Sequence, residues 1–95
     1  MKKKNDLEPI ARETINHGVH SLLHDGKGTL YIGTEAGLFI YRKGNIKKIL
    51  IDPNVLSSAN SIAGLNLGED GVLWLATGNG LYSLQLSNEK NKFIS

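Results

Sequence analysis

The chain carries one pattern twice, and this limits its possible folds more than any other feature. Gly28-Thr29-Leu30-Tyr31-Ile32-Gly33-Thr34-Glu35-Ala36-Gly37-Leu38-Phe39-Ile40-Tyr41 recurs at a constant offset as Gly71-Val72-Leu73-Trp74-Leu75-Ala76-Thr77-Gly78-Asn79-Gly80-Leu81-Tyr82-Ser83-Leu84. Gly28/Gly71, Leu30/Leu73, Thr34/Thr77, Gly37/Gly80 and Leu38/Leu81 are identical pairs. Tyr31/Trp74, Ile32/Leu75, Gly33/Ala76 and Phe39/Tyr82 are close ones. A fold for this chain must therefore be two copies of one supersecondary unit.

Each copy reads as four short strands separated by turn residues. In the first, Val19 to His24 leads through Asp25-Gly26-Lys27-Gly28 into Thr29 to Thr34. Glu35-Ala36-Gly37 then turns into Leu38 to Arg42, and Lys43-Gly44-Asn45 into Ile46 to Ile51. The second copy runs Ile62 to Leu67, Val72 to Thr77, Leu81 to Leu86 and a weak last strand near Lys92-Phe93-Ile94, with Asn79-Gly80 as a hairpin signal. The regular spacing of strand and turn signals, without a helical stripe, predicts an all-β chain. The expected layout is a lead-in over 1–17, a first unit over 18–52, a crossing over 53–60 and a second unit over 61–95.

A four-stranded repeat of about 40–45 residues is the size of a β-propeller blade. Leu30-Tyr31-Ile32 and Leu73-Trp74-Leu75 are apolar on both strand faces, so both faces should be covered. Two blades cannot close a ring. One bare face with four or five large side chains would cost on the order of 10 kcal/mol, comparable to the stability of a whole domain. The expected remedy is a ring of blades, completed by homo-oligomerisation into a trimer or tetramer or by further blades of a longer parent chain.

The span Val19 to Leu38, with Asp25-Gly26, Leu30-Tyr31-Ile32-Gly33-Thr34 and Gly37-Leu38-Phe39, resembles the two-component-regulator propeller repeat. Leu73-Trp74-Leu75-Ala76-Thr77 with Gly80-Leu81-Tyr82 resembles it again. Tyr31 stands where that pattern has Trp, Ala76 where it has Gly, and Gly68 where the first copy has Asp25. The resemblance implies blades of the kind found in the extracytoplasmic sensor regions of bacterial histidine kinases, with a role in signalling or carbohydrate sensing. It implies a periplasmic setting, against a cytoplasmic one if Met1 is the natural start.

Composition narrows the chemistry. With 11 Gly, 2 Pro and no Cys, the chain suits turn-rich sheet and offers neither disulfides nor a thiolate metal site. The net charge of +2 comes from lysines outside the repeat, which argues against nucleic acid as partner, since that calls for basic residues interleaved with exposed aromatics. No apolar run approaches the roughly 20 residues of a membrane helix, so membrane insertion is not expected.

No catalytic constellation emerges, and the expectation is a protein that is not an enzyme and needs no cofactor or metal. His20 and His24 lie four residues apart on one strand, about 13 Å end to end, too far to share an ion. Their counterparts Ala63 and Leu67 mark packing positions, which predicts partly buried or edge histidines. Asp25 and Asp70 are explained by turn chemistry, and no pair of carboxylates is set out for glycoside hydrolysis. Gly26-Lys27-Gly28 and Gly78-Asn79-Gly80 have no helix behind them to cradle phosphate. Tyr31 and Trp74 are expected in the core. Any ligand, a carbohydrate above all, is expected on one rim, at His17, Glu35, Asn60 and Asn79. Three functions fit this reading: a non-catalytic scaffold or ligand-sensing module, a stand-alone oligomeric propeller lectin and, least favoured, a small glycosidase or lyase ring enzyme.

Overall fold

A computed structural model, which describes residue 15, residues 17–86 and the backbone of Phe93–Ile94, shows two antiparallel sheets and no α-helix among those residues. The first holds β1 (Val19–His24), β2 (Thr29–Thr34), β3 (Gly37–Arg42) and β4 (Asn45–Ile49) in sequence order. The second holds β5 (Ile62–Leu67), β6 (Val72–Thr77), β7 (Gly80–Gln85) and a two-residue edge, β8 (Phe93–Ile94). The all-β expectation stands. Most of the lead-in and the Ser87-Asn88-Glu89 turn lie outside the described residues.

Strand ends differ slightly from expectation, for reasons of pairing. β3 and β7 begin one residue early because Gly37 pairs with Thr34 and Gly80 with Thr77. Both glycines need positive φ, 134° and 113°, at the exit of a two-residue loop, where a side chain would be strained. The Thr34 hydroxyl donates to the Gly37 carbonyl at 2.9 Å and accepts from the Ala36 N–H at 3.0 Å. Thr77 repeats both bonds, to Gly80 at 2.7 Å and from Asn79 at 3.0 Å. β4 stops at Ile49, short of Ile51, because Ile49 already pairs with Leu38 near the start of β3.

Each sheet also carries an irregularity at the same place in its first strand, between Val19 and Ser21 in β1 and between Ile62 and Gly64 in β5. One residue, His20 or Ala63, is extra to the ladder there. The bulge takes His20 out of the ladder, and neither His20 nor His24 is a packing position; both are edge histidines, the second of the two expected placements. Both are exposed, His20 at the bulge and His24 at the end of an edge strand.

The sheets lie face to face, with β5 against β1 and β2. Tyr31, Leu38 and Ile49 of the first sheet meet Ile62, Leu73, Leu75 and Leu84 of the second in one buried cluster. The closest approach is at Gly33. A Cβ built there would stand 2.7 Å from Ile62 Cγ2 and 2.5 Å from Ser21 Oγ, so a small residue is a condition of the packing. Ser21 Oγ is buried there without a hydrogen-bond partner.

Coverage is not the same for the two copies. β2 is buried on both faces apart from half-buried Leu30. β6 alternates: Leu73 and Leu75 are buried, Trp74 and Ala76 exposed. The expectation that both faces of this strand are covered, with Trp74 in the core, is therefore corrected. Tyr31 faces the second sheet, whereas Trp74 faces away from the first and is far more exposed.

Candidate functional site

Three regions concentrate chemistry: a rim, a cleft at the opposite end of the sheets, and the two outward faces. The rim follows from the pairing. Val19 opposite Thr34 and Ile62 opposite Thr77 bring the entry of each sheet beside its β2–β3 or β6–β7 loop. Because Ile62 also abuts Gly33, both loops lie at the same end.

On that rim Glu35 stands between two histidines, 3.8 Å from His17 Nδ1 and 3.9 Å from His20 Nε2. These distances permit attraction to a protonated imidazole but exceed hydrogen-bond length. His17 and Glu35 are expected on this rim from the sequence; His20, at the bulge, joins them in the structure. The repeat holds a signal for it only negatively: the counterparts of His20 and Glu35 are Ala63 and Gly78, so the arrangement belongs to the first copy alone.

Asn79 is exposed, and its amide nitrogen donates to Tyr82 Oη at 3.3 Å. Asn60, also expected to face a ligand, is instead 1% exposed. Its Oδ1 accepts from the Asp52 N–H at 3.0 Å, and its Nδ2 donates to the Asp52 and Asn54 carbonyls at 2.9 and 3.0 Å. Both amide hydrogens are spent on closing the crossing between the sheets, which leaves none for a ligand. Asn60 therefore acts as a structural lock.

At the opposite end, a cleft of about 350 Å³ opens between the β1–β2 and β5–β6 turns, bordered by Asp25, Lys27, Glu69 and Leu86 above Tyr31 and Leu67. Asp25 Oδ1 accepts the N–H groups of Lys27 at 2.7 Å and Thr29 at 3.0 Å. Those bonds, the Lys27 one foremost, hold the Asp25 carboxyl below its ordinary pKa. Burial raises the Tyr31 phenol, and the Asp25 charge adds to the effect. Arg42 Nη1 bridges the Thr29 hydroxyl and the Lys27 carbonyl, so the turn is held by its own groups. Among the described residues, no group of three His, Cys, Asp or Glu is placed to hold a metal ion. No helix among them is long and apolar enough to cross a membrane.

The outward faces are apolar. On the second sheet, Trp74 and Leu81 are 42% and 59% exposed; on the first, Val19 and Leu22 are 49% and 62% exposed. Val19 and Leu22 border a groove of about 320 Å³ with Ile15, Leu30 and Ile32. Farther across that sheet Phe39 is fully buried, with Lys48 Nζ 5.7 Å from its ring centroid. The repeat positions Gly28, Leu30, Thr34, Gly37 and Leu38 and their partners Gly71, Leu73, Thr77 and Gly80 shape turns and packing, whereas Leu81, the partner of Leu38, is exposed. Comparison of the chain with family models, with curated proteins and with solved structures returns no match in any of the three.

Proposed function

We propose that the chain is a non-catalytic β-propeller module, two blades of a ring that is completed by copies of itself, serving as a scaffold or ligand-sensing piece. The observation that carries this reading is the apolar outward face of the second sheet, where Trp74 and Leu81 are exposed, together with exposed Val19 and Leu22 on the edge strand of the first. Exposed apolar side chains side by side on neighbouring strands mark an interaction surface. The resemblance of Leu30-Tyr31-Ile32-Gly33-Thr34 and Leu73-Trp74-Leu75-Ala76-Thr77 to sensor-region repeats of bacterial two-component regulators supports the same reading. Light scattering tests it: a trimer or tetramer is expected, and a stable monomer across the micromolar to millimolar range refutes it.

One observation favours a second reading. Trp74 at 42% exposure offers a flat aromatic surface, and a sugar ring stacks well on such a platform. An oligomeric lectin would then use Trp74 itself. A glycan array separates the two: selective sugar binding lost in Trp74→Ala supports the lectin, and absence of binding by the intact assembly removes it.

A further inference from the structure

The buried cluster between the sheets contains one phenol, and its oxygen is unpartnered. Tyr31 is 6% exposed and belongs to the cluster that joins the two sheets. No described residue hydrogen-bonds its hydroxyl. Other buried polar side chains are satisfied, Thr34 by its own loop and Asn60 by the crossing. Ser21 Oγ, the unpartnered atom near Gly33, is sealed from solvent. Tyr31 differs from it, because its side chain lines the cleft of about 350 Å³ at the turn end of the sheets. Buried polar groups are as a rule hydrogen-bonded, so this one takes its partner from what enters the cleft.

The rest of the cleft narrows the chemistry of that partner. Leu67 and Leu86 make it apolar beside Tyr31, and Asp25, Lys27 and Glu69 border it with charge. Asp25 Oδ1 is occupied by two backbone N–H groups. The Lys27 ammonium and the Glu69 carboxylate form no ion pair with a described residue. An anion such as phosphate is disfavoured twice. Two carboxylates stand against one ammonium, and the N–H groups of the turns are spent: Lys27 and Thr29 donate to Asp25, Gly68 to the Val72 carbonyl and Gly71 to the Gly68 carbonyl. A polyol gains no hydrogen bond from Leu67 or Leu86. What fits is an ammonium for the carboxylates, a carboxylate for Lys27 and an apolar body over the leucines.

From this arrangement we infer that the cleft binds a small zwitterion, an α-amino acid with an apolar side chain. Asp25 and Glu69 take its ammonium, Lys27 takes its carboxylate, and Tyr31 Oη hydrogen-bonds the charged end. Ligand pockets run from about 300 to 1,000 Å³, and a cavity at the small end of that range suits a single amino acid. The N–H groups that fix Asp25 in place also keep it ionised. Every lining residue comes from one chain, so the site goes beyond the proposed assembly and needs no second copy.

NMR titration of the full chain with free L-leucine tests the site. Amide shifts are expected in the turns at residues 25–28 and 68–71, and none around Glu35 and Asn79, with a Kd on the order of 0.1–1 mM. N-acetyl-leucine lacks the ammonium and leucine amide lacks the carboxylate; each should bind about tenfold more weakly or worse. Lys27→Ala should lose about tenfold for leucine and leave leucine amide unchanged. Tyr31→Phe removes only the oxygen. Without ligand it should melt no lower than the parent, because the hydroxyl bonds no described residue, yet it should bind leucine about five- to tenfold more weakly. Melting that falls without ligand, or unaltered leucine binding, overturns the role of the phenol. The inference itself is overturned by an absence of shifts in both turns up to about 10 mM leucine, or by N-acetyl-leucine or inorganic phosphate binding as well as leucine. Light scattering reads the assembly separately. Leucine binding by monomeric chains would support the site while refuting the ring, and a ring indifferent to leucine would do the reverse.

Discussion

Gly33→Ala is the sharpest probe of the contact between the sheets, because its sign is contested. Replacing a strand glycine by alanine ordinarily stabilises by about 0.4–1 kcal/mol through the unfolded chain. Here the added methyl meets Ser21 Oγ at 2.5 Å, Ile62 Cγ2 at 2.7 Å and Ile62 Cβ at 3.0 Å. Ser21 is short enough to rotate. Ile62 is fully buried and, being β-branched, stiff about χ1, so the second sheet itself has to move. Overpacking of this kind costs about 1–3 kcal/mol, which outweighs the entropic gain and leaves a net loss of about 1–2 kcal/mol. Urea unfolding at fixed protein concentration reads it as a lower midpoint at unchanged slope. Ile62→Ala alone should cost about 2–5 kcal/mol. In the double variant the new methyl occupies part of the vacated space, so the losses should fall short of additivity by about 1 kcal/mol or more. A Gly33→Ala chain as stable as the parent, or strict additivity with Ile62→Ala, would refute the close approach of the two sheets.

Asn60→Ala strips three hydrogen bonds from the crossing and leaves the Asp52 N–H and the Asp52 and Asn54 carbonyls without that partner; a loss of about 2–4 kcal/mol is expected in thermal melts. Asn79→Ala, at an exposed loop position, should change stability by less than about 0.5 kcal/mol in the same assay. For Asp25 the folded pKa lies below the ordinary 3.8. Its contribution is therefore present above that value and lost as pH falls through the lower folded one. Asp25→Ala should flatten the acid limb of a stability–pH curve below about pH 4, and an unaltered limb would contradict the two backbone hydrogen bonds.

Local structure was legible where neighbouring residues decide it. Leu-Tyr-Ile-Gly-Thr and Leu-Trp-Leu-Ala-Thr run to the same residues as β2 and β6, because their turn residues and β-formers agree. What failed is what depends on position in the stack. Tyr31 and Trp74 are equivalent in the repeat, yet only Tyr31 is covered, since no property of a repeat unit marks it as an end. The bulges left no trace either: the extra residue is a histidine in one copy and an alanine in the other, and any side chain can occupy it. Asn60 was placed on the right connection with the wrong task. Its neighbours announce a turn, but that its amide reaches back to Asp52 and Asn54 follows only once the crossing folds over.

The half-covered faces set a scale for assembly. Four large side chains, Val19, Leu22, Trp74 and Leu81, each about half exposed, would gain about 3–6 kcal/mol on complete burial in contact with other copies. Joining two free chains costs an estimated 4–15 kcal/mol at the standard state. One contact is then close to break-even, and an open pair of chains should be sparse at micromolar concentration. A ring differs because its last contact closes within an assembly already formed, adding burial without a further loss of free translation. The stack is thus expected as separate chains or as closed rings, with little between. Light scattering across a dilution series should show the ring giving way directly to the monomer. A graded run of dimers and higher open chains would mean that each contact is far stronger than these four side chains can supply.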